Sequence, residues 1–206
     1  MKTENAWVGA RVVDSLPYSN SGIDLDAGRL KAAGADAVAG YLGAMTKSRL
    51  GWLLDAGLAY VPVTFAGEYM DGAGDELFQL GGLGIPVGTT VFLDLEGKKA
   101  FDTEPGLLAN QVNAWATAIE AARYIPGLYV GSPQPFTETE LWKLGVRRYW
   151  QGQGATRDRF GKLAEPTGCG WCMRQMFPSV SYGGVLVDHN MVGQDYKGRL
   201  PTWVVS

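Results

Sequence analysis

Short apolar runs recur along the chain, each followed by a stretch of helical spacing and then a glycine-marked turn. Residues 8–13 read as a first strand and residues 25–33 as a short helix stopped by Gly34. Residues 37–41 form a second strand. Thr46 is placed to cap a helix that continues through Leu50, Leu53 and Leu54 to Gly57. Residues 58–65 follow as a third strand, in which Pro62 calls for an edge or a bulge because proline has no N–H for the ladder. Residues 75–80 offer a helical turn or two before Gly81-Gly82, and residues 89–96 are the clearest strand in the chain. The longest helix is predicted over about 105–124, with Pro105 in its first turn and Leu108, Val112, Trp115 and Ile119 at helical spacing. Beyond it, residues 128–130, 146–151, 171–177 and 185–189 are strand-like, and Thr137 with Glu140 makes a capping box for a short helix ending at Gly145.

Roughly eight strands alternating with helices imply parallel pairing, because parallel neighbours need crossover connections. The expected fold is therefore α/β, a compact and somewhat irregular TIM-type (β/α) barrel, with an open doubly wound sheet as the alternative. No linker, charge block or composition break divides the sequence, so residues 1–206 are expected to form one domain. Barrels typically run to about 250 residues. This one should be trimmed, with short or missing helices near the C-terminus.

Composition narrows the picture further. A hydrophobic share of 46% excludes disorder, and no apolar run reaches transmembrane length, so stable membrane insertion is not expected. The 29 glycines suit many tight strand–helix junctions. Net charge is −3, without a basic patch or tail, which makes nucleic acid a poor partner. The first residues carry no secretory signal, so synthesis in the cytoplasm is expected, with export only through a separate route. Nothing points to an oligomer, and a monomer is the default.

The chemistry concentrates at Asp94-Leu95-Glu96. Side chains alternate along a strand, so Phe92, Asp94 and Glu96 share one face while Val91, Leu93 and Leu95 take the other. In a barrel the aliphatic set packs under the helices, and the two acids rise from the interior toward the C-terminal mouth, where barrel enzymes place their chemistry. Acids two residues apart have Cα atoms about 6–7 Å from each other. If their carboxyls approach in a dry site, one acquires the raised pKa that a general acid needs. The competing reading is a hydrated strand end that caps the next helix. Asp14 and Asp188 end two further strands, the first and the last, which a closed barrel makes neighbours. Four acids converging on one mouth carry a cost unless they bind something or hold protons.

With Asp14, Asp94-Leu95-Glu96, Trp150, Gln175 and Val187-Asp188-His189-Asn190 in order, nearly the whole chain resembles a glycoside-hydrolase-like domain. That domain was formerly catalogued as domain of unknown function 1906 and is related to glycoside hydrolase family 25, the lysozymes that cut bacterial peptidoglycan. One departure is the first strand, which ends Val13-Asp14-Ser15 where those families more often have a glycine and an aromatic or aliphatic residue before the aspartate. The resemblance implies a muramidase acting on β-1,4-linked cell-wall glycan, as in a phage or prophage lysin. Glu96 would be its general acid, and Asp94 would stabilise positive charge or orient the acetamido group. Asp188 would support the centre or position water, and Asp14 would bind substrate or hold the geometry. An inactive barrel that only binds wall glycan is the alternative, and a barrel hydrolase or isomerase with a small substrate is a third reading.

Tyr41, Phe65, Tyr69, Tyr129 and Trp150 fall near strand ends, where ring faces could meet sugar C–H groups, although an aromatic on a strand is more often core. Gln175 is a polar residue in a buried-looking strand, suited to bind Asp188 or sugar. Glu68 could add a loop carboxylate, with solvation the plainer reading. No cofactor or metal is expected: two cysteines and a single histidine are a poor supply for zinc, and His189 should face away from Asp188. Cys169 and Cys172 are expected to form a surface thiol pair. No nucleophile elbow or phosphate loop is present in the sequence.

Overall fold

The structure is a computed structural model that describes residues 1–14, 26–66, 73–96, 98–152, 156–164, 168–182 and 185–206. Eight strands close into a barrel: β2 (Arg11–Asp14), β3 (Ala37–Tyr41), β4 (Ala59–Phe65), β5 (Thr90–Leu95), β6 (Ile125–Val130), β7 (Arg148–Gln151), β8 (Met173–Tyr182) and β9 (Val185–Val192). Neighbours from β2 to β8 run parallel, but β9 is antiparallel to both β8 and β2. The expected parallel pairing thus stops one strand early, with β9 turning back antiparallel on β8, and among the described residues the last helix precedes β7. Two strands that the apolar pattern missed, β1 (Lys2–Asn5) and β10 (Thr202–Val205), pair with each other, and β10 also meets β4 at Val204–Tyr60.

The helices are α1 (Ala27–Ala32), α2 (Lys47–Asp55), α3 (Gly74–Leu83), α4 (Lys98–Asp102), α5 (Pro105–Ala121) and α6 (Glu138–Trp142). Their starts follow the expected chemistry. Thr46 Oγ1 accepts from the Arg49 amide, and the Thr137–Glu140 capping box is complete. Glu104 accepts from the Gly106 and Leu107 amides ahead of Pro105 at the first turn of α5. α3 runs through Gly81 and Gly82 and stops instead at Gly84, whose φ of 75° is the left-handed conformation that glycine tolerates. β2 begins only at Arg11, because Gly9 turns the chain at φ 86° and leaves Val8 exposed.

Strand alternation sorts the apolar residues into two clusters. Val38, Tyr60, Val91, Leu93, Leu95 and Leu128 face outward and pack against Leu50, Leu80, Leu108, Val112, Trp115 and Ile119 of the helices. Inside the barrel, Ala37, Ala39 and Ala59 lie in the same cluster as the bulkier Phe92, Trp150 and Met173. Gly127 on β6 makes room for Phe92, since a Cβ there would lie 2.6 Å from the ring. Ala6, Ala10 and the fully buried Trp203 fill the opposite end from the acids, with Trp7 edge-on to Trp203 at 5.0 Å.

Pro62 lies in an interior strand rather than at an edge. It is tolerated because β4 changes partner there: β10 contacts Tyr60, and the ladder to β5 begins at Val63. The cysteines do not form a surface pair. Cys172 is buried inside the barrel with its thiol donating to the Tyr149 carbonyl, Cys169 packs against the outer cluster, and both thiols are free. Burial pushes the Cys172 thiol up to about 12, so it carries no thiolate at neutral pH.

Candidate active site

The C-terminal end of the barrel holds a cavity of about 70 Å3 lined by Asp14, Ala39, Tyr41, Val63, Asp94, Glu96, Tyr129, Trp150, Gln175 and Asp188. Eight of these come from the residues singled out in the sequence. Asp94 points inward on the same face of β5 as Phe92, and Glu96 follows the strand at the solvent-exposed mouth. Asp14 and Asp188 are directly paired residues of β2 and β9. Their closeness was expected, but its cause is different. Asp188 is in the middle of an antiparallel strand, and strand direction rather than strand end brings it to the mouth.

Each acid has its own support. The Tyr41 hydroxyl donates to Asp94 Oδ2 at 2.5 Å, while Asp94 Oδ1 is buried without a hydrogen-bond partner. Asn190 Nδ2 donates to Asp14 Oδ2, and Ser179 donates to Asp188 Oδ1 at 2.6 Å. The Tyr129 hydroxyl donates to Gln175 Oε1 at 2.8 Å and also lies within reach of Glu96. A phenol has one hydrogen, so Gln175 and Glu96 compete for it. Two glycines leave space for this arrangement. A Cβ at Gly131 would sit 2.9 Å from Glu96 Cβ, and one at Gly152 would sit 2.9 Å from the Tyr129 hydroxyl.

Burial dominates the electrostatics. It lifts Asp94 to about 8, reinforced by the charge of Glu96 and opposed by the Tyr41 hydrogen bond. Burial likewise lifts Asp14 to about 7 against the Asn190 hydrogen bond, with Asp188 and Glu96 adding repulsion. Glu96 is raised by burial and by Asp188, with Tyr129 opposing. Tyr41 and Tyr129 are both raised, so each stays a neutral O–H donor. No cationic side chain lines the cavity among the described residues. Asp94 and Asp14 therefore relieve the repulsion by keeping protons, and a carboxyl that keeps its proton near neutrality can deliver it to a leaving oxygen.

With this geometry in view, two solved structures share the fold. One is an uncharacterized B. stearothermophilus protein, at 18% identity and a TM-score of 0.67, with 90% of this chain and 96% of that chain covered. The other is the Clostridium perfringens spore cortex lytic enzyme SleM, at 15% identity and a TM-score of 0.61, covering 96% of this chain and 71% of that one. The likeness is one of fold. No family model and no curated protein matches the chain.

The aromatic expectations divide. Tyr41 and Tyr129 line the cavity with their hydroxyls committed to Asp94 and Gln175. Trp150 lines it too, but at 2% exposure the indole is an inner wall, held edge-on by Phe92 and Tyr129, and offers no open face for a sugar. Phe65 does not line the cavity; it is exposed on the rim beside Asp94 in the β4–β5 register. Tyr69 and Glu68 lie outside the described residues. Gln175 binds Tyr129 rather than Asp188, whose donor is Ser179.

His189 does not line the cavity, consistent with its place on the alternate face of β9. Sequence reasoning missed Asn190 as a site residue, although it lies two positions past Asp188 and so on the same face. Among the described residues no group of three His, Cys, Asp or Glu side chains is arranged to hold a metal ion, and no helix is long and apolar enough to cross a membrane.

Proposed function

We propose that the chain is a glycoside hydrolase of muramidase type, cleaving β-1,4 bonds of bacterial peptidoglycan by carboxylate acid catalysis. The observation that carries this reading is the convergence of Asp14, Asp94, Glu96 and Asp188 on one cavity without a cation among its lining residues. The resemblance to the family 25 lysozymes and the shared fold with a spore cortex lytic enzyme point the same way. In the proposed reaction, Glu96 gives its proton to the glycosidic oxygen as the C1–O bond breaks. Water adds its hydroxyl to C1 in the overall hydrolysis, and the remaining proton restores Glu96. Asp94, which keeps its proton to about 8 and is fixed by Tyr41, orients the acetamido group as a neutral hydrogen-bonding carboxyl. Asp188 positions water or supports Glu96, and Asp14 holds substrate.

The size of the cavity supports a polymer over a small substrate. Pockets that engulf a small molecule enclose about 300–1,000 Å3, whereas this cavity has room for only a few waters. It fits a substituent of a chain lying across the mouth, and the exposed Phe65 on the rim offers a ring face to such a chain. Purified bacterial cell walls should release reducing ends when treated with the protein. Glu96→Gln should abolish that release while leaving the far-ultraviolet circular dichroism unchanged. Full turnover by the mutant would remove Glu96 from the role. Binding of wall fragments by the wild-type chain without any product would replace the hydrolase with a glycan-binding barrel.

A further inference from the structure

Asn190 is fully buried at the base of the acid cluster and touches three groups from two other strands. Its Oδ1 accepts from Trp150 Nε1 at 2.9 Å, and its Nδ2 donates to the Val12 carbonyl at 3.2 Å and to Asp14 Oδ2. The indole N–H is a donor only, so it selects the oxygen end of the amide and leaves the nitrogen end facing Asp14. Rotating the amide would set two donors against each other at Trp150 and two acceptors against each other at the Val12 carbonyl.

Trp150 itself is held by Phe92 at 5.5 Å and Tyr129 at 4.8 Å between ring centroids, both edge-on, so the indole has little freedom to follow a rotated amide. We infer that Asn190 is a positioning residue for Asp14, with its amide locked in one orientation by the Trp150 indole. This gives Trp150 a part in the site that needs no contact with sugar. That the positioned carboxyl serves substrate rests on the hydrolase reading; the relay itself does not.

Asp14 also faces Asp188 from β9, Glu96 just past the end of β5 and, within range of their charge, Asp94, Tyr41 and Tyr129. Asn190 is the donor that offsets this surrounding, so removing it should make the Asp14 carboxyl hold its proton more tightly. The test is the carbon-13 NMR titration of the Asp14 carboxyl in the free protein, with the resonance assigned by its loss in Asp14→Asn. Asn190→Ala should raise the midpoint by about one to two pH units, the worth of one hydrogen bond to a charged group. Trp150→Phe, which keeps a ring and removes only the N–H, should raise it by less. It serves as the second arm if Asn190→Ala does not fold. An unmoved midpoint in every folded variant overturns the relay, and an unmoved midpoint in Trp150→Phe alone removes the indole from it. No substrate enters this measurement, so loss of the hydrolase reading through Glu96→Gln leaves its outcome intact.

Discussion

Asp14 and Asp94 keep their protons to about 7 and about 8, whereas an unfolded chain releases them near 3.8. Folding stability must register that difference. A carboxyl whose folded pKa is raised costs nothing below its unfolded pKa, and destabilises progressively as pH rises from there to the folded value. Between about pH 5 and pH 6.5 the native state therefore holds two protons that the unfolded state has lost. Each contributes a slope of about −1.4 kcal/mol per pH unit, roughly −2.7 for the pair. Glu96, also raised, adds the same sign. His189 works in the opposite sense, because burial lowers its pKa and the unfolded state takes up its proton first as pH falls. Glu140 and Glu104, both lowered by their hydrogen bonds, lose their contribution mainly below this window.

The net expectation is a gain of about 2–4 kcal/mol on going from pH 6.5 to pH 5. Urea unfolding followed by circular dichroism at constant ionic strength would measure it. Asp94→Asn supplies the internal control: the amide has no proton to hold, so the slope should drop by about half. The reasoning is refuted if wild-type stability is flat or climbs between pH 5 and pH 6.5, or if Asp94→Asn keeps the full slope.

Two further outcomes follow from the same geometry. Tyr41→Phe removes the donor at Asp94 Oδ2 and leaves the carboxyl with neither oxygen paired. Its midpoint, read by carbon-13 NMR, should climb from about 8 by about one to two pH units, and a fixed midpoint would mean the hydroxyl does not support the charge. Gly131→Ala puts a Cβ 2.9 Å from Glu96 Cβ and 3.1 Å from its carboxylate. Because the nearest atom is Glu96 Cβ, which moves only with the backbone, the expected result is loss of reducing-end release from cell walls together with a measurable fall in melting temperature. Wild-type release would show that the position of Glu96 is not critical.

Much of this architecture was written in local pattern. The alternation of residues 90–96 fixed which way Phe92 and Asp94 face, because neighbouring side chains on a strand must point to opposite sides. Helical spacing found the buried stripe of α5, and side-chain oxygens at Thr46 and Thr137 marked two helix starts, since those hydroxyls satisfy amides that the helix itself leaves unpaired. The barrel and eight of its cavity residues followed from such short-range rules joined to closure of the sheet.

What local pattern could not supply was partner and direction. The polar, four-residue β1 is a strand because it pairs with the apolar, four-residue β10 across almost the whole length of the chain, and Pro62 is tolerated because β4 exchanges β10 for β5 beside it. The glycines at 183 and 184, a two-residue link between extended runs, were the available sign that β9 turns back on β8. Whether Trp150 serves as an open platform or an inner anchor was undecidable from sequence, because burial depends on what the other strands place against it. The placing of Asp14, Asp94, Glu96 and Asp188 along the apolar runs was enough to gather acids at one mouth. How they are held came from the fold: Ser179 reaches Asp188 across the antiparallel β8–β9 pair, whereas Tyr41 on Asp94 and Asn190 on Asp14 join residues that only the closed barrel brings within reach.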